Sequence, residues 1–162
     1  MYTIMRRLRQ GALLAVASLA LALPGAASAA PAGCAGPPSD TWINVSFENV
    51  RNGNGNIAVM LYPDDSSRFL AKGGTLYGVH IPANAGTTRG CMFLPRTGVY
   101  AIAIYHDEDG NHKFKRSALG LPAEGYGFAN NPVTIAGLPS FRSVRLNVPK
   151  TGLLTRITVK YP

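Results

Sequence analysis

The stretch 98–106 places the tightest constraint on the fold. Val99, Ala101, Ala103 and Tyr105 alternate there with Tyr100, Ile102 and Ile104, so nearly every side chain is apolar whichever way it points. A surface helix keeps its apolar residues on one stripe. A short run that is apolar on both sides of a two-residue period predicts a central strand covered on both faces. The rest of the chain must therefore supply two covering layers.

Short strands are what the remainder offers. In residues 42–50, Ile43, Val45 and Phe47 alternate with Asn44, Ser46 and Glu48, the pattern of a half-buried strand. Asn52-Gly53-Asn54-Gly55-Asn56 follows as a turn in which positive φ costs little, and 57–62 reads as a second strand, so the two are expected to pair as a hairpin. Pro63-Asp64-Asp65-Ser66-Ser67 reads as a turn, or as the cap of a short helical excursion through Phe69-Leu70. Further strands are expected at 76–81, 90–94, 132–135, 143–148 and 154–161. Eighteen Gly and twelve Pro among 162 residues disfavour long helices, and no repeat of fixed period is present. The predicted fold is all-β: a single antiparallel β-sandwich of seven or eight strands with one long loop.

The N-terminus predicts export. Arg6, Arg7 and Arg9 precede an apolar run over 11–23, then Pro24 and the small-residue site Ala27-Ser28-Ala29, so residues 1–29 read as a secretory signal peptide. As a helix the run would reach about 20 Å, short of a bilayer core of about 30 Å. Removing it takes three of the 16 basic residues and none of the 8 acidic ones, leaving a net charge of +5. Those charges are scattered singly, with none of the basic striping and interleaved aromatics that nucleic-acid binding needs. Residues 30–41, rich in Ala, Pro and Gly, are expected to form a flexible lead-in to a domain at 42–162, which contains no transmembrane segment.

Two cysteines remain, Cys34 and Cys91, and in an oxidising compartment the simplest outcome is one disulfide. Ala32-Gly33-Cys34 also resembles the end of a lipoprotein processing site, although Pro31 stands where such a site wants Leu.

Residues 107–131 form the unusual segment, longer than loops in compact domains normally are. It begins at the strand end His106-Asp107 and runs on to Leu119-Gly120-Leu121-Pro122-Ala123-Glu124-Gly125-Tyr126-Gly127-Phe128-Ala129-Asn130-Asn131. With this motif the chain resembles a bacterial family of exported proteins catalogued as domain of unknown function 2141, over residues 43–161. The resemblance implies export and a sandwich similar to immunoglobulin-like or transthyretin-like modules; it implies no chemistry.

Asp107, Asp109 and Asn111 place three oxygen side chains at alternate positions, as a calcium loop begins. The rest of that signature is missing: His112 stands where Gly is needed and Ala118 where a bidentate Glu is needed. In the family that the chain resembles, the loop commonly reads Asn-Gly-Lys-Leu-Asp; here it is Asn111-His112-Lys113-Phe114-Lys115, which puts a positive charge where a carboxylate would help. The competing reading has Asp and Asn side chains capping the loop's own amides. Glu124, Tyr126, Phe128 and Asn130 are the expected recognition surface for a sugar or peptide, against a reading in which the aromatics fold back as a lid and Glu124 accepts backbone N–H bonds.

Catalytic patterns are lacking. The three histidines are His80, His106 and His112, and no nucleophile elbow, zinc-protease helix, phosphate loop or zinc-spaced cysteine pair occurs. The chain is therefore expected to be a periplasmic or secreted bacterial module, not an enzyme, that recognises a small molecule, glycan or envelope partner through 107–131. It is expected to need no cofactor, with calcium the cation to test, and to bind no nucleic acid. The alternatives are a hydrolase of an envelope polymer using Glu124 with Asp107 or Asp109, and a purely structural accessory protein.

Overall fold

The computed structural model describes residues 29–162, so the predicted signal peptide lies, but for Ala29, outside the described residues. Two apolar rows decide the architecture. Ile43, Val45 and Phe47 face Ile57, Val59 and Leu61 across one core, and all six are essentially fully buried. Burial of each contributes about 1.5–3 kcal/mol, so these six supply on the order of 10 kcal/mol.

The strands are β1 (Thr41–Val50), β2 (Asn56–Pro63), β3 (Tyr77–Pro82), β4 (Gly86–Leu94), β5 (Gly98–Asp107), β6 (Gly125–Phe128), β7 (Arg145–Val148) and β8 (Leu153–Thr158), with a single helical turn, α1 (Phe141–Val144), before β7. They make a three-stranded sheet, β4-β1-β8, packed on a five-stranded one, β3-β2-β5-β6, in which β7 also pairs with β5. The fold is thus the expected all-β sandwich, with β5 central and buried along its length from Tyr100 to Asp107. β6 pairs with the second half of β5, Ala103↔Phe128 to His106↔Gly125, and β7 with the first half, Gly98↔Val148 to Ala101↔Arg145. One pair departs from the antiparallel expectation: β1 and β8 run parallel, from Ile43↔Leu153 to Glu48↔Thr158. Among the described residues no helix is long and apolar enough to cross a membrane.

Several local expectations are corrected. β1 and β2 do not form a hairpin; β1 pairs with β4 and β8, and β2 with β3 and β5. Residues 51–55 instead carry the chain from one sheet to the other, because facing rows bury each other whereas paired rows would still need a covering layer. Gly55 makes the crossing possible: its φ is 60°, and a Cβ there would lie 1.9 Å from the carbonyl oxygen of Asp107. Residues 132–135 are not a strand, and Val133 and Ile135 are among the most exposed apolar side chains. The 107–131 segment is not all loop, since β6 lies inside it.

The lead-in is held rather than free. Cys34 is bonded to Cys91 of β4, and Ala35 donates to the Cys91 carbonyl at 2.8 Å and accepts from the Phe93 amide at 2.9 Å. Tyr77 of β3 packs its ring against Gly36 and donates its hydroxyl to the Phe93 carbonyl, tying the edge of one sheet to the other.

Two outcomes follow for stability. The cross-link spans 57 residues, so removing it restores unfolded-state freedom worth about 4 kcal/mol. Replacing both cysteines by Ala should lower the urea midpoint accordingly, and an unchanged midpoint would show that the bond does not constrain the chain. Burial pushes the Tyr77 hydroxyl up to about 12 from its ordinary 10.0. Between those values the unfolded chain releases this proton while the folded chain keeps it, so stability present below pH 10 is lost as pH rises toward 12. Urea unfolding on either side of pH 10 should show this loss, and Tyr77→Phe should reduce it. An equal pH slope in both proteins would place the loss elsewhere.

Candidate functional site

β5 ends with two side chains on opposite faces. His106 points inward and is fully buried; its Nε2 lies 2.9 Å from the Asn54 carbonyl and its Nδ1 2.7 Å from the Tyr161 hydroxyl. The carbonyl can only accept, so Nε2 carries a proton toward it, while Nδ1 shares a hydrogen bond with the Tyr161 hydroxyl. This imidazole anchors the crossing between the sheets. Beside it Arg51 makes a two-pronged pair with Glu108 at 2.5 and 2.7 Å, which holds the Glu108 carboxyl below the usual range.

Asp107 points to the outer face of the five-stranded sheet and is also fully buried. Its two carboxylate oxygens accept the backbone N–H groups of Asn111 at 3.0 Å and His112 at 2.9 Å. Asn111 in turn accepts from the Lys113 amide at 2.7 Å and donates to Asp109 at 2.9 Å, and the Lys115 ammonium pairs with Asp109. That ammonium is the main reason the Asp109 carboxyl is held below its usual range. Asp107 and Asn111 thus accept backbone amides of the loop, while Asp109 is engaged by the side chains of Asn111 and Lys115. Asp107 and Asp109 converge with Glu124: one carboxylate oxygen from each of the three lies within 4.8 Å of the others. Glu124 is buried, accepts the Lys115 amide at 3.0 Å, and has its carboxyl raised chiefly by burial.

The second half of the long segment is built by β6. Gly125 and Gly127 turn inward, and a Cβ on Gly127 would lie 2.8 Å from the Thr158 carbonyl oxygen, so glycine lets β6 press against β8. Tyr126 and Phe128 alternate outward, opposite Tyr105 and Ala103 of β5. They join Met60, Tyr62, Phe69, Phe141 and Val144 in a second apolar cluster on the outer face. Phe69 is its hub, with ring centres 5.3 Å from Tyr62, 5.7 Å from Phe141 and 6.1 Å from Phe128. Asn130, expected in the recognition surface, instead donates to the carbonyls of Ser143 and Arg145 and fixes the approach to β7.

Between this cluster and the loop that covers it lies a cavity of about 120 Å³, lined mainly by Met60, Tyr105, Phe114, Tyr126, Phe128 and Leu138. Phe114 of the loop packs on Tyr105 with ring centres 5.4 Å apart, and Arg116 lies 5.1 Å over the Phe114 ring. Of the four residues expected to recognise a ligand, Tyr126 and Phe128 line this cavity, while Glu124 and Asn130 hold the backbone. A larger, more open hollow of about 640 Å³ lies over the outer face of β1, lined by polar and apolar residues alike, with Glu48 and Arg156 paired across it at 3.7 Å.

One grouping was not foreseen in the sequence. His112 reaches back over the sheet to His80 on β3, their rings stacked 4.1 Å apart at 20°. His80, Asp107 and His112 each offer a donor atom within 4.8 Å of the others. The His80 imidazole is held below its ordinary value, first by burial and then by His112, with Asp107 opposing. The trace in the sequence was His112 itself, at a loop position where glycine was expected; its φ is indeed 60°.

The profile of a family described as "Uncharacterized protein conserved in bacteria (DUF2141)" matches residues 45–154. No curated protein and no solved structure matches the chain significantly. The matched span runs from the core of β1 into β8, across both sheets and the whole covering loop. The chain belongs to that bacterial family.

Proposed function

We propose that the protein is an exported, non-catalytic binding module that takes a ring-sized apolar group of a small molecule or envelope partner into the cavity beneath residues 108–124. The observation that carries this reading is the cavity itself. Its walls are mainly aromatic and aliphatic side chains, from β2, β5 and β6 and from the loops that carry Phe114 and Leu138, and a cavity of about 150 Å³ with apolar walls accommodates benzene. Export is supported by the signal-like N-terminus and by the Cys34–Cys91 bond, which suits an oxidising compartment. The carboxylates favour a structural over a hydrolytic role. Both oxygens of Asp107 accept loop amides and Glu124 accepts another, so these carboxylates are turned into their own loop rather than set across an open cleft from each other.

Indole and phenol are suitable probes. A ligand at ten times its Kd adds about 1.4 kcal/mol to stability, or about 4 °C in Tm for a domain of this size. Such a shift is expected for the mature protein and should be lost in Leu138→Trp, which fills the cavity from its half-exposed rim. No shift with any ring-sized probe, or an equal shift in the variant, would overturn the reading.

A further inference from the structure

We propose that His80, Asp107 and His112 form a binding site for a divalent transition-metal ion of the zinc or copper(II) class. This site is separate from the apolar cavity and does not depend on it. Two imidazoles and one carboxylate are the donor set of such ions, whereas calcium and magnesium take oxygen donors. The donors come from three different elements: the edge strand β3, the end of β5 and the loop after it. Their donor atoms lie within 4.8 Å of one another. Metal–nitrogen distances of about 2.0–2.1 Å in tetrahedral geometry require about 3.3 Å between donors. Both imidazoles stand on accessible positions, so rotation about their side-chain bonds is the movement that brings the donors together on an ion.

The surrounding structure holds the ligands in register. Asp107 is buried at the end of the most constrained strand, and the amide of His112 itself donates to one of its oxygens at 2.9 Å. That bond fixes the position of His112 relative to the carboxylate, and each oxygen keeps a second lone pair for a metal. His112 adopts a left-handed φ of 60°, a conformation that disfavours a bulky side chain, and the result is to lay its ring on His80. The two cysteines are joined to each other and do not compete for metal. Three protein donors leave a fourth position for solvent or an external ligand.

The test is calorimetric titration of the mature, disulfide-bonded protein with zinc and copper(II), prepared without a histidine tag, with visible absorption of the cobalt(II) form as a second readout. Binding of one ion per chain at micromolar Kd or tighter is expected, with cobalt bands of tetrahedral intensity. His80→Ala and His112→Ala should each weaken binding at least tenfold. Asp109→Asn should leave zinc affinity unchanged, because Asp109 belongs only to the neighbouring carboxylate group. Both histidines are accessible, so their variants retain the fold, which circular dichroism checks. Absence of zinc and copper binding, or full affinity in both histidine variants, overturns the proposal. Loss of affinity in Asp109→Asn together with calcium binding overturns it in favour of a site on the three carboxylates.

Discussion

Everything distinctive about this molecule depends on β5 being buried on both faces. Its inner side chains, Ile102, Ile104 and His106, close the core between the sheets; its outer ones, Ala101, Ala103 and Tyr105, need a second cover. A sandwich usually leaves the outer face of a sheet to water. Here the rest of the chain is spent covering it, with Phe69 from one loop, α1 from another, and residues 108–124 laid over the far end.

The cover is held by buried charge. A carboxylate taken out of water without partners costs several kcal/mol, whereas each N–H bond to an ionised oxygen returns about 1.5–3 kcal/mol. Asp107 satisfies both of its oxygens on loop amides, and Glu124 takes another. The same bonds that bury these two acids therefore order a segment rich in polar residues and short of apolar ones. Gly55 completes the arrangement by letting the crossover pass against the Asp107 backbone. What lies beneath the cover, an apolar cavity, and what lies at its rim, two stacked imidazoles beside a carboxylate, are consequences of that anchoring.

Period and burial made much of this legible from the residues alone. The alternation of β1, the double-sided apolar run of β5 and the pairing of Cys34 with Cys91 could all be read, because each is a local pattern or a choice with one simple outcome. Whether β1 and β2 pair could not be read, since Asn52 to Asn56 suits a hairpin turn and a crossover equally well. β6 was hidden for a different reason. Gly-Tyr-Gly-Phe has weak strand propensity, and it becomes a strand only because β5 and β8 offer it an edge and a surface that glycine can approach. At 132–135 the apolar residues suggested a strand, yet Val133 and Ile135 lie exposed and Ile135 bridges only to the nearby Leu138. The His80–Asp107–His112 grouping depends on the register of β3, β2 and β5, a long-range property absent from local spacing.

The account rests on residues 108–124 being an ordered cover anchored by buried carboxylates, and amide hydrogen exchange tests this most directly. The amides of Asn111, His112 and Lys115 belong to exposed residues, yet they should exchange far more slowly than an unstructured loop, and Asp107→Asn should release the first two while the core strands stay protected. Exchange of all three at the unstructured rate in the natural protein would contradict the account.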